Sequence, residues 1–378
     1  MKNHYQKLVE RLLAPCDIRI DGDNPWDVHV HNDEFYERVI TGGALAAGEA
    51  YMDGWWDVEA LDEFFRRIHN AHLVRFLKKD WVTLARFTLH KYMNFQSTHR
   101  AFVIGEHHYD IGNDLYEKML DTRMTYTCGY WSGHSPATTL HEAQEAKLDL
   151  VCKKLNLQKG QRILDIGCGW GSFMIYASEK YGVEVVGVTV SKEQIALGEE
   201  RAQGLPVKFI LQDYREIQGS FDHIVSLGMF EHVGYKNYRT FMNIVAKHLN
   251  DDGLFLLHTI GSNRSLYATN PWMDKYIFPN SMLPSAAQIA RATDDLLVLE
   301  DWHSFGSDYD KTLMAWHTNV ERAWSELAQN NSQYTERFHR MWTFYLLSSA
   351  GAFRAREIQL WQIVFSKNGV KGGYKTVR

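Results

Sequence analysis

The sequence predicts an α/β protein, a doubly wound and mostly parallel sheet with a smaller, mainly helical N-terminal domain. Three observations carry this. From His107 onward, short apolar runs alternate with helix-length segments, as in a parallel sheet covered by helices. One run, Ile163-Leu164-Asp165-Ile166, leads straight into Gly167-Cys168-Gly169-Trp170-Gly171, a tight turn that opens an apolar helix near Ser172. Before that region the pattern is different, and Asn94 to Arg100 has linker character. The boundary is therefore placed near residue 100, dividing the chain into 1–100 and 101–378. A length of 378 residues accommodates one large domain and a smaller one.

In chain order, Tyr5 to Leu13 reads as a helix, Asp17 to Ile20 and Asp27 to His31 as short strands, and Asp33 to Ile40 as a second helix. Gly42 to Trp56 is rich in glycine and aromatics, and composition reads it as a packed turn region. In residues 72–95, Leu73, Phe76, Leu77, Trp81, Leu84 and Phe87 recur at helical spacing. There Arg75, Lys78, Lys79, Arg86 and Lys91 face a single acid, Asp80. Such a helix either packs its apolar face on the domain or lies on an anionic membrane, and the first reading is favoured. The strands of the large domain are read at 162–166, 184–189, 207–211, 222–227 and 253–259, with late strands at 296–303 and 359–366. The helices between them include Ser135 to Leu155, Ser172 to Lys180, Ser191 to Ala202, Tyr235 to His248 and Lys311 to Gln329.

Composition narrows the function. A net charge of −5 provides no basic field for nucleic acid. No window of about 18 apolar residues exists, so no segment is expected to span a bilayer. The N-terminus, Met1-Lys2-Asn3-His4-Tyr5, lacks an apolar signal core. Cys16, Cys128, Cys152 and Cys168 are scattered without metal-ligand spacing, which predicts neither disulfides nor a metal site and suits a reducing cytoplasm. Aromatics at 13% suit a ring-lined cavity, although ordinary core packing would use them too.

The glycine turn is shared by nicotinamide, flavin and S-adenosylmethionine (SAM) enzymes. A dinucleotide site wants an acid on the ribose after the second strand, whereas Glu184 to Thr189 continues into Val190-Ser191. Asp165 leading into Gly167, Gly169 and Gly171 fits SAM, and the element order is that of a class I SAM-dependent methyltransferase. Ligands of such sheets sit beyond the carboxyl ends of the strands. Thr189, Ser191 and Gln194 are placed there to hold the ribose; Ser191 and Gln194 also have the spacing of a helix capping box. Asp213, followed by Tyr214, is placed to accept from the adenine amino group. Glu231 and His258 would converge on the methyl from adjacent strand ends. Either could instead be ordinary, an acid at a helix start or a hydrogen-bonded core histidine. The run Met229-Phe230-Glu231-His232-Val233 lacks the Asn/Asp-Pro-Pro-aromatic signature of many amino-group methyltransferases. His108 to Asp114 and Met124 to Trp131 would either fold over the cofactor or pack on the sheet.

His108-Tyr109-Asp110, Tyr126-Thr127-Cys128, Asp165 to Gly171, Gly228 to Val233, Leu257 to Gly261, Asp308-Tyr309-Asp310, Gly351 to Arg354 and Gln359 to Gln362 together resemble the cyclopropane-fatty-acyl-phospholipid synthases. The Gly48-Glu49 to Trp55-Trp56 stretch resembles the N-terminal extension of their phospholipid-acting bacterial members. The resemblance implies transfer of a methylene from SAM across a cis double bond of a phospholipid acyl chain, through a carbocation deprotonated by bound bicarbonate. It assigns Glu231, His258 and Tyr309 as side-chain partners of the bicarbonate, with Cys128 and Ile260 lending backbone groups. Glu231, an acceptor only when ionised, would orient His258 or a bicarbonate proton. It adds Tyr109, Tyr126 and Thr127 to the cofactor contacts. It further implies a homodimer, peripheral contact with the inner face of the membrane, and an unsaturated phospholipid in a bilayer as partner. Another SAM-dependent lipid methyltransferase, acting on a head-group amine or leaving a methyl branch, is the alternative.

Overall fold

The computed structural model describes residues 2–72, 112–132 and 136–378. Tyr109, nearly all of the amphipathic segment 72–95 and the boundary near residue 100 lie outside the described residues. The chain divides into two units.

One unit gathers the described residues of Met1–Met93 with Ala268–Pro279 and Tyr309–Ile358. It opens with a helix, Lys2–Leu13, and holds a two-stranded antiparallel ribbon of His29–Val30 (β1) and Trp56–Asp57 (β2). The strand expected over Asp17 to Ile20 is reduced to a single bridge, Ile20 to Val28. Its polar neighbours turn instead around the buried Asp27, whose carboxylate accepts the backbone N–H groups of Arg19 and Asn24 at 2.8 and 3.0 Å. The second expected helix is much longer, Phe35–Met52. The glycine-rich stretch is thus helical rather than a turn region. The chain bends once, at Gly43 (φ 60°, ψ −146°), and the alanines that follow are strong helix formers. Gly48 is needed for packing, since a Cβ there would run into the Trp272 ring. Trp56, Phe64, Tyr51, Phe65, Phe344 and Trp272 form a continuous aromatic cluster. The helices Leu61–Asn70 and Glu336–Arg354, neither evident in the sequence, supply three of these rings. Arg354 donates to both Asp310 carboxylate oxygens at 2.8 and 2.9 Å and meets Asp62 at 2.6 Å.

The other unit is built on a seven-stranded sheet. Its strands are Arg162–Ile166 (β3), Glu184–Thr189 (β4), Val207–Leu211 (β5), Phe221–Leu227 (β6), Leu249–Ser262 (β7), Val298–Ser304 (β8) and Ile358–Ser366 (β9). Their order is β5-β4-β3-β6-β7-β9-β8. The pairs from β5 to β7 are parallel, and β8 runs antiparallel to β9. Alternation along the strands creates two cores. Ile163, Val185, Val225, Leu256 and Val364 face Val151, Leu155, Phe173 and Met174. Leu164, Val188, Ile224, Phe255, Leu257 and Ile363 face Phe241, Met242, Val245 and Ile289. The fold is the doubly wound, class I methyltransferase-like arrangement that the alternating pattern predicts.

Candidate active site

The order reverses at β3, between β4 and β6, which is where an open parallel sheet leaves a crevice. β3 ends at Ile166, and Gly167, Gly169 and Gly171 follow with φ of 84°, 55° and 79°. L side chains rarely adopt such angles, and a Cβ on Gly167 would also lie 2.5 Å from Met229 Cβ. The turn is pinned by hydrogen bonds from the Gly167 and Cys168 N–H groups to the Val188 carbonyl at 2.9 and 3.2 Å. Gly171 then starts the helix Ser172–Tyr181. Tyr126 reaches this turn through aromatic packing: its ring lies 5.1 Å from Tyr116, which lies 5.1 Å from Trp170.

Asp165 is buried, and desolvation pushes its carboxyl up to about 7 despite the opposing charge of Lys147. At the end of β4, Thr189 Oγ1 donates to Gln194 Oε1 at 3.0 Å and accepts from the Ser191 N–H at 3.3 Å. Ser191 Oγ accepts the Gln194 N–H at 3.3 Å, so the serine half of the expected capping box exists, while the Gln194 side chain pairs with Thr189 instead of closing the box. After β5, the buried Asp213 accepts the Arg215 N–H at 2.9 Å and caps a short turn beginning at the buried Tyr214.

β6 and β7 carry the pair expected to meet the methyl group. Glu231 follows β6 and His258 lies on β7; both are almost fully buried. The Ile260 N–H donates to Glu231 Oε1 at 2.6 Å, and the Gly228 N–H donates to the His258 carbonyl at 2.9 Å. Both functional groups are therefore indexed to the same stretch of β7. Burial pushes Glu231 up to about 7. Burial, reinforced by Lys147 and Lys154, holds His258 well below the usual imidazole range, so it is neutral. Gln362 Nε2 lies 3.3 Å from His258 Nδ1. An amide nitrogen only donates, so Nδ1 accepts and the ring proton resides on Nε2. The residue that orients His258 is thus Gln362, not Glu231. Gln362 stands in the Gln359 to Gln362 stretch, and its signal was one of two amides inside the otherwise largely apolar strand β9.

Among the described residues, His258 Nε2, Glu231 Oε2 and Gln362 Oε1 are buried without a hydrogen-bond partner. Each such group is costly to leave buried and open unless a ligand completes it. They suit a small anion that also carries a proton. His258 Nε2–H would hold an anionic oxygen, and Glu231 would accept the O–H.

The 125–132 loop is also anchored. The Tyr130 N–H donates to the Ala143 carbonyl at 2.8 Å. Asp308 accepts the Trp131 and Ser132 N–H groups at 2.7 and 3.1 Å, a buried carboxylate to which the sequence reading gave no role. Cys128 is fully buried within this loop, and its Sγ lies 3.1 Å from the Gly129 carbonyl. Phe305 packs against Tyr130 at 5.2 Å and His258 at 6.0 Å, giving this end of the sheet aromatic faces. Tyr309 belongs to the other unit, where its ring stacks on Phe353 at 4.5 Å. Among the described residues there is no metal-ligand cluster, no helix is long and apolar enough to cross a membrane, and none of the four cysteines forms a disulfide.

Residues 96–363 match the family described as mycolic acid cyclopropane synthetase. The cyclopropane-fatty-acyl-phospholipid synthase of Escherichia coli (strain K12) is 48% identical, covering 100% of this chain and 97% of that protein. Among solved structures, the cyclopropane synthase MmaA2 from Mycobacterium tuberculosis is 31% identical with a TM-score of 0.63, covering 70% of this chain and 98% of its own. The mycolic acid cyclopropane synthase CmaA1, complexed with SAH and CTAB, is 32% identical with a TM-score of 0.63 and the same coverage of 70% and 98%.

Proposed function

The chain belongs to the mycolic acid cyclopropane synthetase family, and from that premise we propose that it converts a cis double bond of an unsaturated phospholipid acyl chain into a cyclopropane. It is a SAM-dependent enzyme of lipid cyclopropanation. The phospholipid substrate is inferred from the full-length similarity to the Escherichia coli synthase.

In such a reaction the alkene π pair forms a carbon–carbon bond to the methyl carbon while the carbon–sulfur bond breaks, its pair staying on sulfur. The acyl chain is left with a carbocation, and loss of a proton from the new methyl lets that C–H pair close the ring. SAM supplies the electrophilic methyl. The protein's part is to hold the reactants in a dry pocket and to lead the proton away without a side chain trapping the cation. Phe305 and Tyr130 offer ring faces that favour positive charge. Gly167 to Gly171, Thr189, Gln194 and Asp213 suit the cofactor, and similarity to the SAH-bound CmaA1 supports SAM as that cofactor.

The single observation behind the second step is the open polar set in the core. His258 Nε2–H and Glu231 Oε2 would hold bicarbonate, the backbone roles of Cys128 and Ile260 resting on the resemblance; bicarbonate, when bound, supplies the base. Gln362 keeps the proton of His258 on Nε2 so that this nitrogen donates to an anion. Glu231, held by Ile260, keeps a lone pair available for the anion's proton. The role given to Tyr309 as a further donor rests on the resemblance alone, as do a homodimer and peripheral attachment at the cytoplasmic face of the membrane.

Incubation with SAM and vesicles of unsaturated phospholipid, followed by mass spectrometry of the released acyl chains, tests the reading. An acyl chain heavier by one CH₂, bearing a ring and formed only with bicarbonate, is expected. A methyl branch would overturn the ring-closing roles of Glu231 and His258. A methylated head group on unchanged chains would overturn the substrate.

A further inference from the structure

Among the polar side chains that the helix Leu140–Lys154 turns into the protein are Gln144 and Lys147, both 0% exposed. Neither is used by the chemistry above. Both converge on one residue. Gln144 Nε2 donates to the Thr127 carbonyl at 2.7 Å, and Lys147 Nζ donates to Thr127 Oγ1 at 2.7 Å. Gln144 also reaches the Thr125 carbonyl at 3.4 Å. On the same helix, Ala143 lies so close to Gly129 that a Cβ on the glycine would stand 2.9 Å from the alanine's own.

Thr127 passes this constraint on. Its methyl abuts Gly228, where a Cβ would lie 2.7 Å from Thr127 Cγ2. Gly228 (φ 77°) opens the turn that carries Glu231, and its N–H donates to the carbonyl of His258. A short chain of contacts therefore runs from Lys147 through Thr127 to Gly228 and on to the two residues of the open polar set. Cys128 is the next residue after the held threonine.

A fully buried amine is costly, and packing alone would be served better by leucine or methionine. Burial pushes Lys147 down to about 8, with Asp121, Cys128 and Asp165 opposing that fall. The cost suggests that direction matters here. An ammonium anchors the threonine hydroxyl in one rotamer, whereas an apolar side chain would leave the hydroxyl to rotate.

We propose that Lys147 is a positioning residue: through the Thr127 hydroxyl it seats the Tyr126-Thr127-Cys128 loop against the Gly228 turn, fixing the Cys128 backbone relative to Glu231 and His258. The inference rests on the anion reading above and names a residue that no motif match singled out. Lys147 acts chiefly on the geometry of the anion site and only weakly on the methyl donor. Its loss should therefore separate the two half-saturation values.

The test uses the full chain, phospholipid vesicles, SAM and added bicarbonate in CO₂-depleted buffer, with Lys147→Met, Lys147→Arg, Thr127→Val and the Lys147→Met/Thr127→Val double variant. Lys147→Met should lower turnover about 30-fold and raise half-saturating bicarbonate about tenfold, while half-saturating SAM moves less than about threefold. Lys147→Arg should recover part of the loss. The double variant should be no worse than the poorer single, because both break one link. Losses that multiply in the double variant would overturn the proposal, as would a lowered Tm with turnover and bicarbonate response intact. Should Lys147→Met not fold, Thr127→Val decides: wild-type turnover and bicarbonate response in it would overturn the link. If wild-type enzyme proves indifferent to bicarbonate, the anion reading fails separately, and non-additivity in turnover alone then decides the Lys147–Thr127 link.

Discussion

Glu231→Gln should make the enzyme slower and more stable at once. Burial raises the Glu231 carboxyl from its ordinary 4.5 to about 7. Below pH 4.5 the group is protonated in both folded and unfolded chains and exerts no pH-dependent effect. Between the two values the unfolded chain ionises first, so folded-state stability falls as pH rises, and the full penalty is present above pH 7. At 1.36 kcal/mol per tenfold, that penalty is roughly 3 kcal/mol. Glutamine cannot ionise, and its oxygen can still accept the Ile260 N–H now held at 2.6 Å. Its new amide hydrogens enter a place where Glu231 Oε2 has no partner, at a cost of about 1 kcal/mol. The variant should thus gain about 2 kcal/mol at pH 8, or a rise in Tm of roughly 4–8 °C by calorimetry. At pH 5 the gain should nearly vanish. Turnover on unsaturated vesicles should fall by about 10²-fold at pH 8, and by less at pH 5, where the wild-type carboxyl is itself protonated. A variant less stable than wild type at pH 8, or an equal gain at pH 5 and pH 8, would refute the reasoning.

Gln362→Leu removes the donor 3.3 Å from His258 Nδ1 and frees the imidazole to place its proton on either nitrogen. Turnover should fall about tenfold with SAM affinity preserved, and calorimetry with SAM alone checks the second half. Gly167→Ala meets both a φ of 84° and Met229. It should weaken SAM binding at least about tenfold in the same titration, and near-normal affinity would show that this turn is not the cofactor cradle. Arg354→Met leaves Asp310 and Asp62 without their shared cation. The arginine is about one-third exposed, so a cost of about 2 kcal/mol is expected, seen as a Tm lowered by several degrees. Lys, unable to span both carboxylates in a fork, should recover less than half of it.

The large sheet was legible because its strands are apolar runs of the right length separated by turn residues, and β3, β4 and β5 match their expected limits. The glycine turn and the Ser191 cap were legible because each depends on neighbours in sequence. The N-terminal stretch from Gly42 misled because glycine density is a local turn signal. Its helix is decided by tertiary packing, with Gly48 seated on Trp272 more than 200 residues away. The same limit applies to the site. Nothing local to Gln144 or Lys147 marks them, and the amide of Gln362 within β9 does not name its partner. Each is recognised only when the fold buries it beside a partner from another element. The expectation that Glu231 orients His258 or a bicarbonate proton came from the resemblance and from a carboxylate's being an acceptor; at His258 Nδ1 the partner is instead a residue from β9, about 100 positions further on.

Burial at this site pushes its ionisable groups toward neutrality: Asp165 and Glu231 each rise to about 7, and Lys147 falls to about 8. A cation arriving among them reverses this for the acids and reinforces it for the lysine. SAM carries a sulfonium charge, so its binding should lower all three values, and every one of those changes releases protons. At pH 7 an acid with a value near 7 is about half protonated and can release on the order of half a proton. The summed release should therefore be several tenths of a proton or more. Isothermal titration of SAM in two buffers of different ionisation enthalpy measures it directly, since the observed heats then differ by that number of protons. Asp165→Asn should reduce the release without changing its sign. Buffer-independent heats, or net proton uptake, would show that the cofactor's charge is not sensed by Asp165 and would remove the carboxylate from the cofactor site.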